Sequence, residues 1–215
     1  MTAFSRRNLL LAAAIAAAAA LTAGALIATS ADAAVETGAP APAFSVVDAQ
    51  GRTRTLSEFA GRTIVLEWTN RDCPYVRRHY NSGNMQAVQQ AARDAGAVWL
   101  SVISSAPGEQ GHLTGAQAAA HAQAARSHAD AVLLDPTGVM GHAYGARTTP
   151  HMFVINGQGR VVYQGALDDR ATANASNSPA DARNYVRGAL DDLAAGRAVA
   201  TPETQAYGCS VKYAT

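Results

Sequence analysis

The chain has 215 residues, 48% of them hydrophobic, and 17 basic against 16 acidic side chains. That is enough apolar material for one packed domain, which excludes a wholly disordered chain, and the balanced charge excludes a polybasic nucleic-acid binder. Two cysteines exclude a disulfide-dense scaffold and a cysteine-rich zinc site, and leave a single disulfide, a reactive thiol, or both.

Residues 1–33 read as an address. Arg6 and Arg7 precede an Ala-rich apolar stretch from Leu9 to Ala28, and Ala31-Asp32-Ala33 has the form of a signal cleavage site. Ser5-Arg6-Arg7-Asn8-Leu9-Leu10 is similar to a twin-arginine export signal, so the expected location is periplasmic, with cleavage after about Ala33. Ala is too weakly apolar to favour a retained membrane anchor. Without residues 1–33 the chain stays electrically balanced, with no expected nucleic-acid or membrane partner, and an oxidising compartment lets a cysteine pair form a disulfide.

Residues 34–41, small and proline-containing, read as a loose linker; residues 42–197 read as one domain and 198–215 as a tail carrying Cys209. Phe44 to Val47 and Arg52 to Thr55, joined through Gly51, predict a hairpin. Ser57–Phe59 predicts a helical turn. Thr63 to Trp68 is an apolar run of strand length, as in a strand covered on both faces. Pro74 suits the first turn of a helix running towards Ala95, disturbed at Ser82-Gly83. Strands follow at Ala97–Ile103 and Val132–Leu134, and helices at Thr114–Ala129 and Val139–Tyr144. Met152–Ile155 and Val161–Tyr163 form a second hairpin, and Pro179 to Ala195 a last helix. The alternation predicts an α/β sandwich with a mixed, partly parallel sheet.

Residue chemistry concentrates at Cys73. It precedes a helix N-terminus, where free N–H groups and the helix dipole favour a thiolate, and Arg71, Arg77 and Arg78 flank it. Glu67 interrupts an apolar strand, where an unpaired charge is costly; it is a candidate proton acceptor or a strand-end partner of an arginine. Thr69 and Asn70 are candidate hydrogen-bond donors to a substrate, or turn residues. Asp168-Asp169 reads as a solvated turn. The six histidines form no zinc signature; His79 and His151 would make a soft-metal site only if both approached Cys73.

The element order, a Cys opening the first long helix and Thr149-Pro150 before the late hairpin together resemble the thioredoxin fold. Pro42-Ala-Phe44, Asp48-Ala-Gln-Gly51 and Leu56-Ser-Glu-Phe59 resemble the opening of redoxins. Cys73-Pro-Tyr-Val76, Gly165-Ala-Leu-Asp-Asp169 and Tyr207-Gly-Cys-Ser-Val-Lys-Tyr213 are similar to a peroxiredoxin-like subgroup with a CPYV motif and a GCS(I/V)K(W/Y) tail. The resemblance implies a thioredoxin-like three-layer sandwich with an N-terminal hairpin extension. It implies Cys73 as nucleophile, Cys209 nearby as resolving thiol, and Glu67 at the position of a buried proton-shuttling acid. It also implies a cis Pro150 facing Cys73, whose neighbours help bind the substrate. Asn70, Pro74 and Thr149 are the candidate substrate-binding residues, and Arg147, three before Pro150, either reaches the thiolate or is a surface arginine.

The chain departs from the thioredoxin C-x-x-C at Val76, and from the peroxiredoxin P-x-x-x-T-x-x-C at Asn70. The expectation is an exported thiol oxidoreductase acting on a peroxide or a protein disulfide, with no cofactor or metal, re-reduced by an external thioredoxin-like donor. A copper-type metallochaperone, and a binding module stapled by a static Cys73–Cys209 bond, are the alternatives.

Overall fold

A computed structural model describes residues 34–174 and 181–214. The expected export signal lies outside them. Among the described residues no helix is long and apolar enough to cross a membrane.

The chain opens with a hairpin, β1 (Ser45–Asp48) and β2 (Thr53–Thr55), followed by a 3-10 turn at Leu56–Phe59. Then come β3 (Ile64–Trp68), α1 (Pro74–Asn81), α2 (Asn84–Asp94), β4 (Val98–Ile103), α3 (Gly115–Ala124) and β5 (Ala131–Leu134). After α4 (Val139–Tyr144) come β6 (Thr148–Thr149), β7 (His151–Ile155), β8 (Val161–Gly165), α5 (Tyr185–Ala194) and β9 (Cys209–Ser210). Seven strands form one sheet in the order β2-β1-β5-β4-β3-β7-β8, with β3, β4 and β5 parallel and the other pairs antiparallel. This is the mixed α/β architecture of a thioredoxin-like fold.

The sheet divides the core because side chains alternate along each strand. Ile64, Leu66 and Trp68 of β3 pack on one face with Leu100, Tyr144 and Phe153. Val65 packs on the other with Trp99, Met152, Met85 and Val88 of α2, and Val186 and Leu190 of α5. All of β3 is buried, which explains why its sequence lacks a polar stripe and why Glu67 stands out.

The break at Ser82-Gly83 divides the first helical stretch in two, as the sequence suggested; Gly83 takes φ +78°, open to glycine, and precedes α2. Two helices are shorter than expected. Helix α3 stops at Ala124, because Arg126 turns left-handed (φ 51°) and Ser127 N–H closes on Ala122 O. Helix α5 begins at Tyr185, where the Asn184 side chain caps Arg187 N–H at 2.9 Å.

The lead-in differs from the expectation of a loose linker, and the tail, whose sequence carries few structural signals, is packed as well. The lead-in pairs with the start of β8: Gly38 N–H meets Val161 O at 2.7 Å, Ala41 N–H meets Gly159 O at 2.8 Å, and Val35 is buried. The tail after α5 is bound along its length. Thr204 N–H meets Gln164 O at 3.1 Å, Ala106 N–H meets Lys212 O at 2.8 Å, and the Tyr213 ring stacks on His142 at 4.0 Å. Backbone groups next to an open strand end need partners, and local sequence pattern carries no trace of such pairings.

Candidate functional site

The site lies where β3 gives way to α1. Thr69 N–H prolongs the parallel pairing by bonding Val102 O at 2.9 Å. The chain then turns through Asn70, whose side-chain oxygen accepts from Asp72 N–H at 2.9 Å and whose amide donates to Gln110 O at 3.2 Å. Cys73 N–H bonds Asn70 O at 3.1 Å, and Cys73 becomes the N-cap of α1 with Pro74 at the first helical position. Of the two sequence readings of Asn70, the geometry is that of the turn residue, with its amide committed to the neighbouring loop.

Cys73 is fully buried. Its thiol donates to Thr149 O at 3.1 Å, and Thr149 begins the cis Thr149-Pro150 peptide. Cys209 is half-buried and comes to the same place: β9 pairs antiparallel with β6, with Cys209 opposite Thr149 and Ser210 opposite Thr148. The structure therefore brings together Cys73, Pro74, Thr149, Pro150 and Cys209. Their closeness follows from the cis-proline edge and a two-residue strand lying across it.

The two thiols are perturbed in opposite directions. Burial pushes Cys73 up, but a hydrogen bond from Cys209, the Val76 N–H of the helix start, the Thr149 hydroxyl and Cys209 N–H together outweigh it and lower its pKa. Burial pushes Cys209 up, and its hydrogen bond to Cys73 and the Cys73 charge push further, to about 12. The flanking arginines, expected to acidify Cys73, are not among the main causes. Arg71 pairs with Asp72 at 3.6 Å, and Arg78 turns inward to Asp168 at 3.5 Å. Consecutive helix positions point about 100° apart, so Arg77 and Arg78 leave on different faces.

Glu67 is fully buried and is not paired with an arginine. Its carboxylate accepts from Tyr80 OH (3.0 and 3.1 Å), Gln89 Nε2 (3.3 Å), Trp99 Nε1 (2.9 Å) and Ser101 OH (3.0 Å). No hydrogen bond joins it to the Cys73 thiol; it braces α1 and α2 against β4. Burial raises its pKa, opposed by these donors. Such a carboxyl favours folding in its protonated form, so its contribution falls as pH rises above the ordinary glutamate value.

We expect Glu67→Gln to cost about 1–3 kcal/mol at pH 5, because an amide N–H then faces a ring of donors. The cost should shrink by pH 7.5, where the parent loses its own protonated-form advantage. Urea unfolding at the two pH values checks this; a cost that grows with pH would mean the donors hold Glu67 ionised.

Arg147 is exposed, and its main chain meets the tail: its O accepts from Val211 N–H at 3.0 Å. The side chain lines a polar groove of about 970 Å³ with His151, Glu203 and Gln205. The possible soft-metal histidines have other partners. His79 Nδ1 lies 2.9 Å from Asn84 Nδ2, and His151 Nδ1 accepts from Arg147 N–H at 3.3 Å. Among the described residues, no group of three His, Cys, Asp or Glu side chains could hold a metal ion. Asp168, expected in a solvated turn, is instead buried against Arg78 and Tyr207; Asp169 is exposed. Its sequence signal was weak, since only the tail and α1 meeting over it take it out of water.

Comparison with known proteins agrees with this architecture. The family profile described as Redoxin matches residues 36–182. The chain is similar to the solved structure of a hypothetical protein, SMc02350, from Sinorhizobium meliloti 1021. The identity is 23%, the TM-score 0.70, and the match covers 86% of this chain and 98% of that one. It is also similar to an uncharacterized conserved protein from Geobacillus kaustophilus (22% identity, TM-score 0.67, 83% of this chain and 93% of that one). A thiol:disulfide interchange protein from Bacteroides sp. matches at 16% identity and TM-score 0.50, over 66% and 86% of the two chains. These likenesses concern the fold. No curated protein matches the chain.

Proposed function

The chain belongs to the redoxin family, and from that premise we propose that it is an exported thiol oxidoreductase in which Cys73 and Cys209 form a cycling pair. The observation that carries the reading is the β6–β9 pairing, which sets Cys209 opposite Thr149, the residue whose carbonyl accepts the Cys73 thiol.

In the proposed cycle the Cys73 thiolate attacks the outer oxygen of a small peroxide. The O–O bond breaks, the leaving alkoxide or hydroxide takes a proton, and Cys73 becomes a sulfenic acid. The Cys209 sulfur then attacks the Cys73 sulfur, forming the disulfide and releasing water. An external dithiol restores both thiols and is itself oxidised to a disulfide. That donor would enter at Cys209, which is half-buried, and expel Cys73, whose lowered pKa makes it the better leaving thiolate. Cys73 is buried and the tail already pairs with the β6 edge, which favours a small oxidant; a protein disulfide would first require the tail to lift.

Export is proposed from the twin-arginine-like start, with cleavage after about Ala33. It accords with a folded unit that already buries Val35. The domain is then residues 42–197, extended by a packed lead-in and a packed tail.

Intact-mass measurement on the mature protein tests the cycle. The reduced protein should take two alkyl groups, and one equivalent of hydrogen peroxide should instead produce a two-hydrogen mass loss with both thiols blocked. Thiols that ignore peroxide, or a bond that resists mild reductant in the folded state, would overturn it.

A further inference from the structure

A buried polar cluster beneath the tail takes no part in the cycle just proposed. Arg78, His79 and Asp168 are 2%, 0% and 1% exposed. Tyr207, two residues before Cys209, donates its hydroxyl hydrogen to Asp168 Oδ1. His79 Nε2 lies 3.4 Å from the same hydroxyl, and Asn84 Nδ2 lies 2.9 Å from His79 Nδ1. Burial, only partly offset by Asp168, lowers the His79 pKa to about 4, so at neutral pH the ring is uncharged. The 3.9 Å approach of His79 to Asp168 is then no ion pair. With Asn84 donating to Nδ1, the Nε2 proton points at Tyr207, and donors run one way: Asn84, His79, Tyr207, Asp168. Arg78 faces the same carboxylate at 3.5 Å and ties down the following loop through Arg170 O (2.9 Å) and Thr172 O (3.3 Å). The Tyr75 and Tyr207 rings lie against each other at 5.9 Å.

Burying an aspartate, an arginine and a histidine together is costly unless the geometry is used. The only part of this cluster that does not belong to the main fold is Tyr207. The cluster hangs on α1, the helix that Cys73 caps, and Tyr207 belongs to the arm that carries Cys209. From this we infer that Asp168, braced by Arg78 and with His79 set on the same tyrosine hydroxyl, is a latch: through Tyr207 it holds the Cys209 arm against Cys73. Asp168 and Tyr207 are thus positioning residues that act through the arm and never touch the oxidant. The inference deepens the proposed thiol cycle and rests on it for its consequence, but the latch itself can be read without any redox step.

The test uses the mature protein and two variants, Tyr207→Phe and Asp168→Asn. Tyr207→Phe keeps the ring and its contact with Tyr75, so it folds even if the aspartate change does not. Two rates are read by peptide mass: alkylation of reduced Cys209 by iodoacetamide, and closure of the Cys73–Cys209 disulfide after one equivalent of peroxide. We expect Cys209 to alkylate about tenfold faster and closure to slow about tenfold, as an intramolecular partner loses its fixed geometry. Initial oxidation of Cys73, trapped as the sulfenic acid by a dimedone probe, should slow less than closure does, because the arm supplies two of the hydrogen bonds that acidify the thiol but takes no part in the attack on peroxide.

Unchanged Cys209 alkylation in Tyr207→Phe overturns the latch. Faster alkylation with unchanged closure overturns its positioning role. If the parent itself never closes the disulfide, the thiol cycle falls instead, and the alkylation comparison alone decides whether the latch holds the arm.

Discussion

Replacing Cys209 with Ser is expected to leave the first oxidation intact and stop everything after it. One equivalent of peroxide should add one oxygen to Cys73 rather than remove two hydrogens. Further equivalents should add a second oxygen irreversibly, because a sulfenic acid with no thiol to condense with climbs to the sulfinic acid. Turnover with a dithiol donor should fall on the order of a hundredfold, since an attacker held in place is exchanged for a bimolecular one. The size of the effect follows from the geometry: the β6–β9 pairing fixes Cys209 opposite Thr149, whose carbonyl accepts the Cys73 thiol. The measurement is intact mass against peroxide equivalents, alongside donor consumption. Should Cys209→Ser keep turning over without accumulating oxygen on Cys73, the arm is no resolving thiol and an outside thiol does the work.

Much of this architecture is legible in the sequence because local pattern encodes it. The apolar runs of β3 and β4, the proline one residue past Cys73, the Ser-Gly break between α1 and α2 and the glycine after α4 each act within a few residues. Cys73 at a helix start is legible for the same reason. The source of its lowered pKa is not. Arg71, Arg77 and Arg78 are neighbours in sequence, but helix geometry turns Arg78 to Asp168, and the groups that acidify the thiol come from Val76 N–H, Thr149 and Cys209. Two of those lie far along the chain.

The course of the tail is the largest feature hidden from the sequence. It has no hydrophobic period and only a two-residue strand, so a local reading sees a loose end. Its path is set by isolated long-range contacts: Tyr207 on Asp168, Tyr213 OH on Ala146 O at 2.7 Å, and the strand pairing between them. Gly208 shows the constraint best. At φ +139° its α-carbon lies against Thr149, and a Cβ there would collide with the Thr149 carbonyl oxygen. A glycine beside a cysteine in the tail is thus what lets the arm lie flat on the cis-proline edge, a meaning that appears only once β6 is beside it. In the proposed cycle the same contacts that hid the tail would hold Cys209 in place beside Thr149.

The opposed pKa shifts predict how the two thiols answer to pH. Cys209, pushed up to about 12, should alkylate with a rate that climbs about tenfold per pH unit throughout pH 7–10, because its thiolate fraction keeps growing. Cys73, held below the ordinary thiol value, should level off at lower pH than Cys209 does. At pH 7.5 the thiolate fraction of Cys73 is then much the larger. The greater basicity of Cys209 returns only roughly the square root of that difference, so Cys73 should keep the lead. Access works the other way, since Cys73 is buried and Cys209 half-buried, and the probe must be as small as iodoacetamide. The comparison therefore reports on the arm as well as on charge. A Cys73 lead with an earlier plateau belongs to reagent entering while the arm is in place. If both rates rise in parallel through pH 9.5, with Cys209 ahead, the thiols are reacting from a lifted arm in which neither shift survives. The hydrogen bond from Cys209 to Cys73 would then not be what sets the reactivity of Cys73.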